Sequence, residues 1–535
     1  MGIKNAFGRS SFARYGRSIR ELPRGVICNS TLLFSAMIYA FAGIPMTWDQ
    51  GSSATIPSLP GFDNQFHISS GSDAEAISTY VSIIYIGYAV GAALSFFVND
   101  RIGRRWAFRL YSLVLIIGQM IVVGAPNIGA LYAARIITGM GIGSLSVIGP
   151  MSIVEISPKE IRGLLTAMYT VSMGIALTSA SFCVLGIHRN VPSGKLQYQI
   201  PAFSISIFLA LCIASSFFIC ESPRWLMMVG RKEEAVQTLV NLRRMPADHP
   251  LIIGEAHDIE VSLIMDWGDV HGSSTLWLAV KETFTVSSNL RRLQQVLVAY
   301  ALAQLSGANS VTSYFIPIMS LLGDTGSTER HMFLSGMYGF SKLIFSIIAA
   351  FFIIDILGRR KSLFIGITAQ MFSHIYIGVF IRYEQQGAVP RVASTFAIVA
   401  LFIHAFGYAV GLFILPYVFG GELWPNRIRS FGGAVGATFH WLFIYAIKYA
   451  FPKILTSMNN WGAFIFFAGW CFLGLLYTYL IVPEVAGLSV EEIDAIFQGP
   501  WYNAFTRSKR GLVIVGLEEG RMHETHIDKD SDKKN

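Results

Sequence analysis

The chain has 535 residues, of which 53% are hydrophobic and only 14% are charged, whereas roughly 25% of the residues of an ordinary soluble domain are charged. A soluble protein of this length could not bury so much apolar surface, so most of the chain must be surrounded by lipid. The net charge of +8 is better explained by membrane topology than by nucleic-acid binding, because the basic residues lie between apolar runs and not along one face.

The first 25 residues form a basic segment that precedes the first apolar run. This segment contains six Lys and Arg residues, whereas no Lys or Arg occurs from Val26 to Asp100. Basic loops remain on the cytoplasmic side of a membrane, and the later basic loops fall on the same side as this segment. We therefore expect both termini to be cytoplasmic. No small-residue cleavage site follows the basic segment, so we expect the first span to be retained.

Twelve apolar runs follow, each long enough to cross the roughly 30 Å of hydrocarbon in a bilayer. We number them in chain order as the first to twelfth spans, at residues 26–48, 77–98, 106–125, 128–154, 161–187, 199–220, 293–322, 331–354, 361–382, 393–421, 430–455 and 461–482. They predict an all-α membrane protein with twelve transmembrane helices in two groups of six.

The grouping of the spans divides the chain into five predicted parts. They are a cytoplasmic N-terminal segment at 1–25, a six-helix bundle at 26–220, a linker at 221–291, a second six-helix bundle at 292–483 and a cytoplasmic tail at 484–535. The linker has charged and apolar residues at helical spacing, which indicates a cytoplasmic helical structure.

Two charged signatures occur once in each half of the chain. DRIGRR begins at Asp100 and returns as DILGRR at Asp355, and EISPKEIR begins at Glu155 and returns as ELWPNRIR at Glu422. In both cases the two copies lie about 260 residues apart, which indicates one ancestral half that is used twice. Duplicated halves are typical of membrane transporters.

These signatures belong to a longer series of motifs, all in one order. The others are TWDQG, ARIITGMGIGS, ESPRWL, QLSGANS, the Lys that extends DILGRR, and PEVAGLSVEEID. Over residues 26–497 the series resembles the sugar-porter branch of the major facilitator superfamily, and it is most similar to fungal hexose, polyol and quinate carriers. The resemblance implies two pseudo-symmetric six-helix bundles around a central cavity, with alternating access to a site near the middle of the membrane.

The charged signatures predict a gate at the cytoplasmic ends of the helices. Its acids and arginines would pair when the central site faces outward and separate when it faces inward. An alternative is that the charges only follow the positive-inside rule, but that rule asks for no acids. The predicted gate residues are Asp100, Arg104, Glu155, Arg162, Glu221, Arg224, Asp355, Arg359, Glu422 and Arg429.

Asp49 and Arg135 are the predicted proton-coupling pair. Arg135 lies well inside the fourth span, where an unpaired Arg would cost at least ~2.5 to 3.5 kcal/mol. Asp49 belongs to TWDQG, which resembles a family motif in which proton-coupled members match an Asp with an Arg at the position of Arg135. A carboxylate that is protonated in one access state and paired with Arg in the other would couple proton movement to transport. The alternative is a static structural ion pair in a facilitator.

The resemblance also implies a substrate site. Family members bind sugars with amides on the fifth and seventh spans and with Trp on the tenth and eleventh, because amides bond hydroxyl pairs and indole rings cover C–H faces. Gln304 and Asn309 match on the seventh span, and Trp441 matches on the eleventh.

Other positions of the implied site depart from the family pattern. The fifth-span Gln is replaced by Thr170, the tenth-span Trp by Tyr417 and the eleventh-span amide by His440. On the seventh span, Ala303 replaces a Gln, and the Tyr pair is reduced to Tyr314. The lost amides weaken the case for glucose, since each hydrogen bond contributes roughly 0.5 to 1.5 kcal/mol.

His440 leaves the substrate class open. A protonated His440 would suit the carboxylate of a cyclic acid such as quinate, whereas a neutral His440 would only replace the amide. A larger or less polar metabolite also fits a site relaxed at Thr170.

The leading interpretation is a secondary active transporter that carries a sugar or related polyhydroxylated molecule with a proton. A nutrient sensor built on the same fold is the alternative, although the retained Asp49 and Arg135 argue against it. We expect no enzyme, since no nucleophile elbow, phosphate loop or metal-ligand spacing occurs, and ARIITGMGIGS suits helix packing and not a dinucleotide. We also expect no cofactor, no nucleic-acid partner, a location in the plasma membrane, and function as a monomer.

Overall fold

The structure is a computed structural model. It describes residues 11–21, 23–27, 29–68, 73–267, 280–323, 326–387, 389–413, 416, 423–424, 428–484 and 496–497. Within these ranges every regular element is helical. Ten helical segments there are long and apolar enough to cross a membrane, so the prediction of an all-α membrane protein is confirmed.

The first half contains six predicted spans, and each is occupied by helices. A short helix, Ser11–Glu21, precedes them. The first span comprises Arg24–Ile27, Ser30–Ala40, Phe41–Gly43, Ile44–Ser53 and Ile56–Ser58, and Pro60–Phe66 follows it. The second to sixth spans comprise Ala74–Ser82 with Ile84–Ile102, then Arg104–Gly124, Ile128–Ile156, Arg162–Asn190, and Leu196–Ser215 with Ser216–Phe218.

The second half has the same arrangement with more interruptions. The seventh span comprises Ser287–Leu305, Ala308–Ser313 and Phe315–Leu321, and the eighth comprises Thr328–Ile348, Ala349–Ile353 and Ile354–Leu357. The ninth is Arg359–Glu384, and the tenth comprises Arg391–Tyr408 and Ala409–Phe413. The eleventh is Arg429–Ser457, and the twelfth is Trp461–Leu480. The seventh span breaks at Gly307, where φ is +74°. The eleventh span contains two lysines, Lys448 and Lys453.

The second and fourth spans approach each other closely through glycine. A Cβ added to Gly139 would lie 2.2 Å from the carbonyl oxygen of Ile84, and one added to Gly91 would lie 2.1 Å from that of Met140. Glycine therefore lets the two helix backbones touch, as small residues do in membranes. Gly139 belongs to ARIITGMGIGS, whose small residues pack a helix as expected.

Two interfaces join the halves. The fifth span packs against the eighth, and the second span packs against the eleventh. Trp441 and Ile444 of the eleventh span are buried in a hydrophobic cluster whose other buried members belong to the first half and the linker. The central cavity lies between these two interfaces.

Up to residue 267, the described part of the linker contains three helices, at Pro223–Met228, Lys232–Arg243 and Pro250–Trp267. Their polar contacts attach them to the first half. The Asn29 side chain donates to the carbonyl oxygen of Asn241 at 2.7 Å, and Arg243 donates to that of Ile156 at 3.0 Å. Lys159 pairs with Asp258 at 2.6 Å, and the ammonium group lowers the pKa of that carboxyl.

Candidate functional site

A small cavity of about 60 Å³ lies between the two halves. The first, second, fifth, seventh, eighth, tenth and eleventh spans contribute side chains to its wall. Four of the residues predicted from the sequence line it, namely Thr170, Asn309, His440 and Trp441. Thr170 and Trp441 are 271 positions apart in the sequence, yet both line this cavity. Alternating access requires a central site of this kind between the two halves.

A chain of amides crosses the cavity from the first span to the seventh. Gln50 donates to Asn309 Oδ1 at 3.2 Å, and Asn309 Nδ2 donates to Gln304 Oε1 at 2.6 Å. Gln304 is buried, and its Nε2 has no hydrogen-bond partner among the described residues. The amides of this chain can exchange hydrogen bonds with the hydroxyl groups of a small molecule.

Gln304 and Asn309 stand on either side of the break in the seventh span. Ser287–Leu305 ends before Ser306, and Ala308–Ser313 begins after Gly307. A glycine suits this position because φ is positive there. The break lies at the level of the amide chain, which is where broken membrane helices bind solutes in other transporters.

Aromatic rings form the wall beside the eleventh span. The Trp441 ring stacks on Tyr85 with centroids 6.3 Å apart and meets Tyr88 edge-on at 4.9 Å. The indole Nε1 is buried and has no hydrogen-bond partner within the described chain. The His440 ring packs between Tyr300, at 4.4 Å, and Trp441, at 4.8 Å.

The two predicted tyrosines have different outcomes. Tyr314 does not line the cavity: its hydroxyl donates to the carbonyl oxygen of Lys448 at 2.9 Å, and its ring packs on Phe451. The hydroxyl thus joins the seventh and eleventh spans, and the substrate contact expected of Tyr314 stays a prediction. Tyr417 lies outside the described residues.

Two lysines near the cavity were missed by the sequence analysis. Lys342 of the eighth span lines the cavity and donates to Thr312 Oγ1 at 3.1 Å. Lys448 of the eleventh span donates to the hydroxyl of Tyr85 at 2.6 Å. The available signal was a Lys in the middle of an apolar run, in FSKLIF and in AIKYAF, since a charge at mid-membrane costs about 2.5 to 3.5 kcal/mol.

Asp49 and Arg135 form a buried ion pair beside the cavity. Nη1 and Nη2 of Arg135 donate to the two carboxylate oxygens of Asp49, the second at 3.3 Å. Arg135 Nε donates to the carbonyl oxygen of Tyr80 at 3.1 Å, and the guanidinium lies 4.5 Å from the centre of the Tyr80 ring. A separate cavity of about 30 Å³ adjoins both partners. The next residue after Asp49 is Gln50, so one helix connects the ion pair to the amide chain.

The charged cluster of the first half joins three spans. Arg104 makes two hydrogen bonds of 2.8 Å to Glu155 and one of 3.1 Å to Asp100. Glu221 accepts from the backbone N–H of Arg104 at 2.9 Å and from that of Arg105 at 3.2 Å. The structure therefore brings four of the predicted gate residues together, and their contacts join the second, third and fourth spans to Glu221, which lies just after the sixth.

The remaining predicted gate residues of the first half face the linker. Arg162 interacts electrostatically with Glu255 and Arg243 of the linker and with Arg224. Arg243 forms an ion pair with Glu255 at 2.6 Å. These contacts join the fifth span to the linker, and the gating role of Arg162 and Arg224 stays a prediction.

An equivalent cluster occurs in the second half, with a residue that the sequence analysis did not select. Glu484 accepts from the backbone N–H of Arg359 at 3.1 Å and from that of Arg360 at 3.0 Å. It therefore occupies the place that Glu221 has in the first half. The sequence signal was an acid near a proline in both motifs, Glu221 in ESPRWL and Glu484 in PEVAG. Glu422 and the side chains of Asp355 and Arg429 lie outside the described residues.

Comparisons with known proteins cover nearly the whole chain. A family model described as "Sugar (and other) transporter" matches residues 35–497. A probable quinate permease of Aspergillus niger is 28% identical, over 90% of each chain. A quinate permease of Emericella nidulans is 26% identical, over 92% of this chain and 93% of the relative.

Solved structures match the fold at lower identity. A proton:xylose symporter of the major facilitator superfamily, bound to 6-bromo-6-deoxy-D-glucose, is 22% identical with a TM-score of 0.71, covering 88% of this chain and 100% of its own. An inward-open xylose transporter from E. coli is 21% identical with a TM-score of 0.69, covering 87% and 99%. These likenesses establish a common fold.

Proposed function

The chain belongs to the sugar (and other) transporter family, and on this premise we propose that it moves a small polyhydroxylated molecule together with a proton by alternating access. The transported molecule binds between the halves and the proton binds beside it. Separate groups are assigned to each in this proposal, and one helix of the first span joins them.

The observation that carries this proposal is the position of the Asp49–Arg135 pair. Both side chains are about 95% buried, and Gln50 reaches from the same helix to Asn309 across the cavity. A proton on Asp49 removes its attraction to Arg135. The first span then has a different set of contacts in its protonated and deprotonated states, and Gln50 transmits that difference to the substrate site.

The substrate site supports a molecule with several hydroxyl groups. Gln50, Gln304 and Asn309 offer amide donors and acceptors, and Trp441 offers an indole N–H and a flat apolar face. Such a mixture suits a ring with hydroxyl edges and C–H faces. Thr170 completes the wall on the fifth span.

Gating is assigned to the charged clusters at the ends of the spans. In the first half Arg104 links Glu155 and Asp100, and Glu221 holds the adjoining backbone. In this proposal the bonds of Arg104 to Glu155 and Asp100 form when the central site faces outward and separate when it faces inward, while Glu221 keeps the adjoining ends in place. We assign a matching role in the second half to Glu484, Arg359, Arg429, Glu422 and Asp355. The basic loops support cytoplasmic termini, and a plasma-membrane location and a monomeric carrier complete the proposal.

Quinate is a second candidate substrate. Two relatives that match over at least 90% of both chains are named as a probable quinate permease and a quinate permease. Thr170 and His440 stand where the sugar-porter pattern has amides. A cyclic polyhydroxylated acid has the ring and hydroxyl groups of a hexose together with one carboxylate, so the same amide chain serves both.

Uptake by transporter-deficient cells tests the proposal. Labelled hexoses, pentoses, polyols and quinate are offered at external pH 5 and pH 7.5 to cells that express the wild type, Asp49→Asn, or the control Asp63→Asn. We expect one substrate to accumulate more strongly at pH 5, because a proton gradient drives entry. Asp49→Asn should lose accumulation, whereas Asp63→Asn should retain it.

Two results would contradict the proposal in different ways. Accumulation in Asp49→Asn that still depends on pH would make the Asp49–Arg135 pair a static structural element. Absence of uptake of every compound, with the protein correctly inserted in the membrane, would favour a sensor.

A further inference from the structure

Two lysines lie within the spans and beside the substrate site. Lys342 is 8% exposed and Lys448 is 1% exposed. Lys342 lies in Thr328–Ile348 and Lys448 in Arg429–Ser457, each well away from the helix ends. Ionisable residues inside a membrane protein are retained chiefly where they serve a function.

Neither lysine has an acidic partner among the described side chains. The hydrogen bond of Lys342 goes to a hydroxyl, Thr312 Oγ1, and its ammonium lies 5.3 Å from the ring centre of Tyr408. The hydrogen bond of Lys448 goes to the hydroxyl of Tyr85. Asp49, the acid within the first span, already pairs with Arg135. The centre of the described structure thus has more cationic than anionic side chains.

The two lysines differ in what they face. Lys448 lies 4.4 Å from the centre of the Tyr85 ring, and that ring stacks on Trp441, so Lys448 supports the aromatic wall from behind. Lys342 itself lines the cavity, together with Asn309 and His440. An ammonium has three N–H donors, and one donor of Lys342 is used by Thr312. Lys342 therefore has donors and a positive charge to offer to a molecule in the cavity.

We propose that Lys342 binds a carboxylate of the transported molecule, so that the substrate is a hydroxylated carboxylic acid. The inference rests on the proposed transport function and specifies its substrate class. The carboxylate would supply a negative charge, which the described side chains of the cavity wall do not. Its hydroxyl groups would meet Asn309 and Gln50, and its apolar face would lie on Trp441. From the sequence, His440 was the candidate for binding a carboxylate. We assign that role to Lys342, because the His440 ring packs between Tyr300 and Trp441.

A matched pair of ligands tests this assignment. Quinate and quinamide share one ring and one set of hydroxyl groups and differ in a carboxylate against a neutral amide. Gluconate and gluconamide provide the same contrast on an open chain. Binding of all four is measured by calorimetry to the full-length protein in lipid nanodiscs. We expect at least one carboxylate to bind 10- to 100-fold more tightly than its amide, as charged hydrogen bonds do.

Three variants separate the charge of Lys342 from its volume. Lys342→Met should abolish the preference for the carboxylate while binding of the amide changes less than threefold. Lys342→Arg should keep the preference, which shows that the site is folded. Lys453→Met, which removes an exposed charge near the end of the eleventh span, should behave as the wild type.

The possible failures are distinguishable. The assignment is overturned if Lys342→Met keeps the preference, or if no carboxylate binds better than its amide. If a neutral polyol is taken up with protons while the acids are ignored, the substrate class is wrong and the proton-coupled transport proposal stands. If no solute is transported, both proposals fall.

Discussion

Asp49 and Arg135 illustrate how much one pair of residues depends on its partner. Each is nearly fully buried, and the Arg135 guanidinium has three acceptors, two on Asp49 and one on the Tyr80 backbone. Removing one member of a buried pair leaves an uncompensated charge, whereas removing both leaves none. The two members are therefore strongly coupled in stability as well as in transport.

Arg135→Met is expected to destabilise the protein by about 3 to 5 kcal/mol, because the Asp49 carboxylate remains buried without its partner. The double variant Asp49→Asn with Arg135→Met should recover much of that loss. Thermal unfolding in detergent measures both. Arg189→Met serves as control, since its pair with Glu329 is exposed and contributes about 0 to 1 kcal/mol. If the double variant is as unstable as Arg135→Met alone, the stabilities of Asp49 and Arg135 are not coupled in this way.

At the scale of elements, the break in the seventh span is held by residues of two other spans. His374 and His404 both donate from Nε2 to the carbonyl oxygen of Ser306, at 2.8 and 3.1 Å. Gln370 donates to the hydroxyl of the same serine at 3.1 Å. The break frees carbonyl groups from the helix, and a freed group in the membrane interior needs a donor. These side chains supply it and fix the position of the amide chain.

We expect His374→Leu to raise the KM for the transported substrate about fivefold or more, with a smaller change in Vmax, because the Ser306 carbonyl loses a donor and the amides beside it shift. His374→Gln keeps an N–H donor and should restore most of the affinity. Initial uptake rates, normalised to the amount of inserted protein, measure both constants. His67→Leu, at an exposed position, is the control. A drop in thermal stability with an unchanged KM would limit His374 to a structural role.

The sequence predicted the elements better than the contacts between them. Hydropathy places the spans because lipid contact demands apolar residues, and the fold, family and transport function that followed from them are confirmed. The seventh span, predicted at 293–322, is interrupted at Gly307, beside the Ser306 carbonyl that accepts hydrogen bonds from the ninth and tenth spans, and hydropathy gives no sign of that interruption.

Distant pairs were beyond what sequence patterns specify. Asp49 and Arg135 could be paired in advance because a charge inside a span needs a partner and because TWDQG resembles a family motif whose Asp is matched with an Arg at the position of Arg135. Lys448 and Tyr85 lie 363 positions apart in different halves, and neither belongs to a repeated motif. Glu484 was missed because its role requires the backbone N–H groups of Arg359 and Arg360, which a side-chain pattern does not show.

At the scale of the molecule, the two halves use the same clamp. Gly103, at φ +84°, precedes two N–H groups that bind Glu221, and Gly358, at φ +88°, precedes two that bind Glu484. Each carboxylate ties the start of one span to the end of another within its own half. The internal repeat is thus a repeat of tertiary contacts, and it keeps each bundle intact as a unit.

Glu221→Gln should accelerate hydrogen exchange at Arg104 and Arg105 by roughly 10- to 100-fold, because two charge-assisted bonds to backbone N–H groups are weakened. Exchange at Arg359 and Arg360 should stay unchanged. Glu484→Gln should give the reverse pattern. Mass spectrometry of the protein in nanodiscs resolves the two sites. Glu234→Gln, which affects an exposed linker pair, is the control, and faster exchange in both halves of either variant would contradict independent clamps.

The attachment of the linker has a practical consequence for watching this protein work. The described polar contacts that leave the linker helices reach Asn29, Ser30, Asp100, Ile156 and Lys159, all in the first half. An antibody fragment raised against the linker would therefore report the orientation of one bundle alone. Bound to single particles, it would serve as a fixed landmark against which the tilt of the other bundle could be read image by image.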